Sequence, residues 1–178
     1  SETVPALVLA RMLKERNGSL PIVFFGGDCD GPMGAALHRG FPWVDVVVRG
    51  EAEPVLADLV KDLVAGGPIR PVAGLCYRDR GRSIDVPQSK AVAPMDEIPT
   101  PEYDEYFERL AKTSFADEVG PEIRVQQETS RGCWWGEISH CTFCGLNGTS
   151  MAYRSKSPER VVEEMAALAR RYQRLDFH

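Results

Sequence analysis

Two continuous apolar runs, each leading into a glycine turn, constrain this chain more than any other feature. Ile22-Val23-Phe24-Phe25 runs into Gly26-Gly27-Asp28, and Val44 to Val48 leads on to Gly50-Glu51. A run without polar alternation reads as a strand buried on both faces, as in a parallel sheet covered by helices. Helical patterns flank both runs. From Glu2 to Lys14, Val4, Leu7, Val8 and Met12 recur at helical spacing, and Asn17-Gly18, which tolerate left-handed backbone, are expected to end that helix. Pro32 to Arg39 reads as a short helix closed by Gly40. Pro54 opens another, with Val55, Leu56, Leu59, Val60 and Leu63 on one face and Gly66-Gly67 at its end. Helix, strand, helix, strand, helix with short loops is the grammar of an open parallel α/β sheet. Such sheets usually carry about five strands, so the first half of the motif is expected upstream of Ser1.

After Gly67 the grammar changes. Ala73 to Tyr77 and Ser83 to Val86 flank Arg78-Asp79-Arg80-Gly81-Arg82 and read as a β-hairpin with glycine at the turn. Pro87 to about Gly120 reads as a linker containing a short helix near Tyr103 to Leu110, and Glu122 to Gln127 as a strand. Ser157-Pro158-Glu159 is a helix start, with a capping hydroxyl, proline at the first position and an acid in the first turn. Its expected buried stripe is Val161, Val162, Met165, Leu168, Ala169 and Tyr172. Leu175 to Phe177 opens a further strand. The second half thus reads as one βα repeat, which is expected to continue past His178.

Composition excludes several classes. The chain is 178 residues long, 43% hydrophobic and 26% charged, close to the globular average and unlike disordered or collagenous sequence. No apolar run approaches the roughly 18 residues that span a bilayer, so no membrane partner is expected. A net charge of −5 without a block of Lys and Arg argues against nucleic acid. Five cysteines, an odd number, and no secretory signal favour a reducing, cytoplasmic setting, where cysteines serve metals or redox chemistry.

Three of those cysteines fall within twelve residues, as Cys133-x7-Cys141-x2-Cys144, beside Gly132, Gly136, Gly145 and Gly148. Thiolates are soft ligands that suit zinc, copper(I) or iron–sulfur clusters. Structural zinc needs a fourth ligand, and His140 is a strained choice because it adjoins Cys141. An iron–sulfur cluster held by three thiolates leaves one iron open to another ligand. Cys76 and Trp43 read as packing residues, Cys29 as one that either packs or faces a ligand, His38 as a surface or packing residue, and Arg78, Arg80 and Arg82 as a solvated turn, with a ligand contact as the second option.

A three-cysteine loop between a strand and a helix is similar to the cluster loop of radical S-adenosylmethionine enzymes. In most of that superfamily the first gap is shorter than the seven residues found here. SRGCWWGEISHCTFCGLNG, with its paired tryptophans Trp134-Trp135, closely resembles one subgroup with the longer gap: cobalamin-dependent radical enzymes that mature ribosomally made peptides. Upstream, IVFFGGDCDGPMGAALHRGFPWVDVVVRGEAEPVLADLV resembles the second half of their cobalamin-binding domain. GLCYRDRGRSIDVP and MDEIPTPEYDEYF resemble the hairpin and connector that follow.

The resemblance implies an α/β fold in three parts. Residues 1–70 would be the C-terminal part of a Rossmann-like (flavodoxin-like) cobalamin-binding domain, and 71–120 a small hairpin and interdomain linker. Residues 121–178 would begin a radical S-adenosylmethionine partial TIM barrel. It implies a 4Fe-4S cluster on Cys133, Cys141 and Cys144, with S-adenosylmethionine on the open iron and Phe143 beside the adenine. Gly26, Gly27, Asp28, Gly31, Gly50 and Glu51 would line cobalamin, with no Asp-x-His-x-x-Gly motif to ligate it. The implied activity is C-methylation of a precursor peptide through a 5′-deoxyadenosyl radical and methylcobalamin, fed by a flavodoxin or ferredoxin. A chain of this extent is expected to be inactive alone. Two other readings stand beside it: rearrangement or cyclisation without methyl transfer, and a non-catalytic zinc-binding module.

Overall fold

The first apolar run yields less strand than its length suggests. In the computed structural model, which describes residues 2–88, 92–144 and 151–178, that strand is β1 (Val23–Phe24), half-buried, with Phe25 already exposed. It lies at one end of the sheet order, so one of its edges has no strand partner among the described residues. The chain divides into two units, Ser1–Ala93 with Gly132–Ala152, and Pro94–Arg131 with Tyr153–His178.

The first unit holds α1 (Thr3–Arg16), β1, α2 (Gly31–Gly40), β2 (Val46–Val48), α3 (Glu53–Val64), β3 (Leu75–Asp79) and β4 (Arg82–Asp85). The four strands form one sheet in the order β1-β2-β3-β4. The β1–β2 pair is parallel and the other two pairs antiparallel. Successive residues of β2 face opposite sides of the sheet. Val47 joins Leu7, Ala35, Leu37, Val44 and Cys76 in one core, while Val46 and Val48 join Leu59 and Leu75 in a second. The α/β class read from the sequence is the one observed.

The hairpin is the antiparallel extension of this sheet. Leu75 and Cys76 are almost completely buried and pair with Val48 and Val47. Arg80 and Gly81 both take positive φ (48° and 79°), the conformation of a two-residue hairpin turn whose twist matches its strands. Arg78 is no solvated turn residue: it is half-buried and donates to the carbonyls of His38, Phe41 and Val44. Arg49, just past β2, is buried and donates to Gly74 O, to Asp85 and to Val86 O. Arg49 satisfies carbonyls beside the sheet, and Arg78 those at the end of α2 and just before β2, roles invisible in sequence.

His38 proves to be a packing residue, fully buried. Its Nε2 faces the Asp45 carbonyl at 3.0 Å, and a carbonyl accepts only, so that nitrogen carries the proton. Nδ1 then accepts from Ser83 Oγ at 2.6 Å. Burial holds the imidazole below its ordinary pKa, although the Asp45 hydrogen bond opposes it. Trp43 packs on the core and donates to Leu7 O at 3.1 Å.

One expectation about α1 needs correction, the backbone at its end. Asn17 ends the helix in extended rather than left-handed backbone, with its N–H still bonded to Leu13 O. Among the apolar residues of α1, Leu7 and Ala10 are buried, whereas Val4, Val8 and Met12 are exposed.

The second unit holds α4 (Asp104–Leu110), α5 (Ala116–Val119), β5 (Ser130–Arg131), β6 (Arg154–Ser155) and α7 (Pro158–Tyr172); α6 (Trp134–Ile138) lies in the cysteine segment of the first. The expected strand at Glu122–Gln127 is reduced to a parallel bridge, Val125 to Phe177, with His178 N donating to Val125 O at 2.9 Å. α7 starts as its sequence dictates, Ser157 Oγ accepting from Arg160 N at 3.2 Å. Its buried residues, however, are Leu168 and Glu164, and Val162 is exposed. Glu164 accepts from Lys156 Nζ (2.7 Å), Arg160 Nη2 (2.9 Å), Thr100 Oγ1 (3.2 Å) and Gln127 Nε2 (3.3 Å). Burial pushes the Glu164 carboxyl up, but the hydrogen bonds from Lys156, Gln127 and Thr100 outweigh it and hold the group below the usual carboxylate range. No helix among the described residues is long and apolar enough to cross a membrane.

Candidate functional site

The two glycine turns lie at the carboxyl ends of β1 and β2, adjacent parallel strands. Ligands bind open α/β sheets at such ends. Gly26 (φ +105°) and Gly50 (φ +83°) hold backbone that L side chains rarely adopt. A Cβ on Gly26 or Gly27 would meet nothing within 4 Å, so the first turn presents bare backbone to open space. Gly31 (φ +54°) starts α2, whose cap is Asp30: its Oδ1 accepts from Gly31 N at 2.8 Å. Asp28 accepts from the Thr3 hydroxyl, and Glu51 Oε2 from Ala93 N at 2.8 Å.

Cys29 is buried within the turn, its thiol pushed up to about 11 by burial and then by Asp28. Burial also raises the Cys76 thiol. Both therefore stay protonated at neutral pH and inert, since the thiolate is the ligand and nucleophile. Gly34 is the reason α2 fits: a Cβ there would lie 1.8 Å from the Cys29 carbonyl oxygen. Gln88 was not singled out in the sequence. Its amide donates to Asp30 Oδ1 at 2.7 Å and lies beside Gly50.

The cysteine loop closes at its first thiol. Cys133 N donates to Met151 O at 3.1 Å. Gly132 (φ +81°) lets the strands approach, because a Cβ there would stand 2.2 Å from Ala152 O. Cys133 then caps α6, its Sγ accepting from Gly136 N at 3.3 Å, and Cys144 N donates to Cys141 O in a tight turn (3.1 Å). All three thiols are reduced and half-buried. Trp134 and Trp135 meet edge to face at 5.9 Å and are exposed, as are Ile138, His140 and Phe143, the last by 89%. Gly145 and Gly148 lie outside the described residues.

No three His, Cys, Asp or Glu side chains among the described residues are gathered tightly enough to hold one metal ion. The donor set nonetheless fits a cluster by its chemistry: three soft, unbridged thiols at the spacing of a chelating turn. Each thiolate of a cluster binds its own iron, so its ligands do not have to converge on a single centre. The open first turn fits a flat ring approaching the strand end.

Comparison with known proteins finds relatives for most of this chain. No protein-family model matches the chain. It is 33% identical over 135 residues to an uncharacterized methyltransferase of Pyrococcus horikoshii, a match covering 75% of this chain and 27% of that protein. It is 28% identical over 130 residues to the anaerobic magnesium-protoporphyrin IX monomethyl ester cyclase of Cereibacter sphaeroides (71% of this chain, 20% of the cyclase). With the cobalamin-dependent radical SAM methyltransferase TokK of Streptomyces tokunonensis it shares 25% over 164 residues, 91% of this chain and 23% of TokK. Among solved structures, the cobalamin-dependent S-adenosylmethionine radical enzyme OxsB superimposes with a TM-score of 0.64 at 22% identity, over 97% of this chain and 22% of OxsB. The chain thus spans about a quarter of the length of the proteins it matches.

Proposed function

We propose that the protein carrying this chain is a cobalamin-dependent radical S-adenosylmethionine methyltransferase that C-methylates a ribosomally made precursor peptide in the cytoplasm. The observation that carries this reading is the Gly132–Cys144 loop, with three reduced thiols in twelve residues and the first one fixed by backbone on both sides. When bound, the cluster with S-adenosylmethionine supplies a 5′-deoxyadenosyl radical, and methylcobalamin supplies the methyl group.

The chain's own residues bind and orient. Cys133, Cys141 and Cys144 would hold the cluster, and the backbone at Phe143 would approach the adenine. Gly26, Gly27, Asp28, Gly31, Gly50 and Glu51 would line the cobalamin. Cys29 and Cys76, protonated and buried, leave no competing thiolate near those turns. Electrons would come from a flavodoxin or ferredoxin.

Anaerobic reconstitution with iron and sulfide tests the cluster assignment. The expected product is brown, with about four irons per chain. Cys133→Ala, Cys141→Ala and Cys144→Ala should each lose the colour. A colourless protein holding a single zinc overturns the reading in favour of a zinc-binding module. The likeness to the anaerobic cyclase favours a second reading, cyclisation or rearrangement without methyl transfer. Mass spectrometry of the peptide product separates the two, since a methyl group adds mass and ring closure does not.

A further inference from the structure

Resting on the cobalamin reading above, we infer that Gln88 is a positioning residue for that cofactor, holding the two glycine turns at a fixed spacing. Its backbone is pinned first. Val86 N donates to Leu75 O (2.9 Å), Gly74 N to Pro87 O (3.1 Å) and Arg49 N to Gly74 O (3.0 Å). Gly74 (φ +87°) permits this approach, because a Cβ there would lie 2.7 Å from Arg49 O. From that anchor the half-buried Gln88 side chain spans both turns. Nε2 must donate to Asp30 Oδ1, a carboxylate acceptor, at 2.7 Å. The same nitrogen lies 3.3 Å from where a Cβ on Gly50 would stand.

The consequence is geometric. Asp30 caps α2 and ends the first turn, and Gly50 forms the second. A rigid macrocycle resting on both needs their separation set before it binds, and preorganisation of that kind raises affinity by removing an ordering cost. Gln88 supplies it from outside the turns, through a hydrogen bond to a charged acceptor, the stronger sort.

The test is a titration of the apo protein that carries this chain with hydroxocobalamin, followed by visible absorbance, for wild type, Gln88→Met, Asp30→Ala and the double variant. Thermal unfolding of each apo protein is measured alongside. Gln88→Met keeps the side chain's length and removes the donor. It should bind about tenfold more weakly, the scale of one lost hydrogen bond to a charged group. Its apo unfolding temperature should hold nearly constant. Because Gln88 acts through Asp30, the double variant should lose less than the two single losses combined. Unchanged binding by Gln88→Met, additive losses, or a binding loss matched by an equal loss of apo stability each overturn the inference while leaving the cobalamin reading intact. Failure of the wild-type protein that carries this chain to bind hydroxocobalamin overturns both.

Discussion

Replacing Glu164 with alanine should destabilise the second unit far more than a typical surface change. The Glu164 and Lys156 side chains are 0% and 1% exposed. Truncating the carboxylate removes the counter-charge that the buried Lys156 ammonium pairs with at 2.7 Å. Breaking a buried pair in this way costs about 3–5 kcal/mol. The pair Arg11–Glu15 on α1 sets the scale for comparison: both side chains are more than half exposed, so Glu15→Ala should cost less than about 1 kcal/mol. Lys156→Met combined with Glu164→Leu removes both charges and should recover most of the loss. Arg160, 27% exposed, keeps contact with water in that background. Guanidinium unfolding followed by circular dichroism is the assay. Trp43, Trp134 and Trp135 all lie in the first unit, so tryptophan fluorescence serves as the internal control. A Glu164→Ala cost no larger than that of Glu15→Ala, or a double variant costing the sum of its parts, would refute the argument.

Gly34→Ala should destabilise the first unit by roughly 1–3 kcal/mol, because the backbone carbonyl of Cys29 at 1.8 Å cannot yield as a side chain would; an unchanged urea midpoint contradicts this. His38 is held below its ordinary value of about 6.5, so the unfolded chain binds more protons than the folded one below that pH. Stability from this residue is complete above that pH and declines as the solution is acidified, and His38→Gln should flatten that part of the profile. Alkylation of the native chain by iodoacetamide should modify Cys133, Cys141 and Cys144 while Cys29 and Cys76 are protected; peptide mapping that finds Cys29 labelled first would show the turn to be open.

Much of this was legible in the residues because it depends on short-range rules. Ser157-Pro158-Glu159 starts α7 as a capping hydroxyl and an N-terminal proline require, and Arg80-Gly81 makes the hairpin turn. The valine run gave β2, with helices on both sides. What failed was the assumption that apolar means buried and charged means exposed. Val162 on α7 is exposed, whereas Arg49, Glu164 and Lys156 are buried.

The sequence by itself determined the order of elements, the glycines at the strand ends and the three thiols within twelve residues, since propensity, capping and spacing are properties of neighbours along the chain. Tertiary structure alone decided that the hairpin joins the sheet, that Arg49 caps a carbonyl beside it and Arg78 one at the end of α2, and that Gln88 reaches Asp30. Those outcomes rest on buried polar groups finding partners dozens of residues away. That requirement is enforced by the cost of leaving them unpaired, and no local pattern records it.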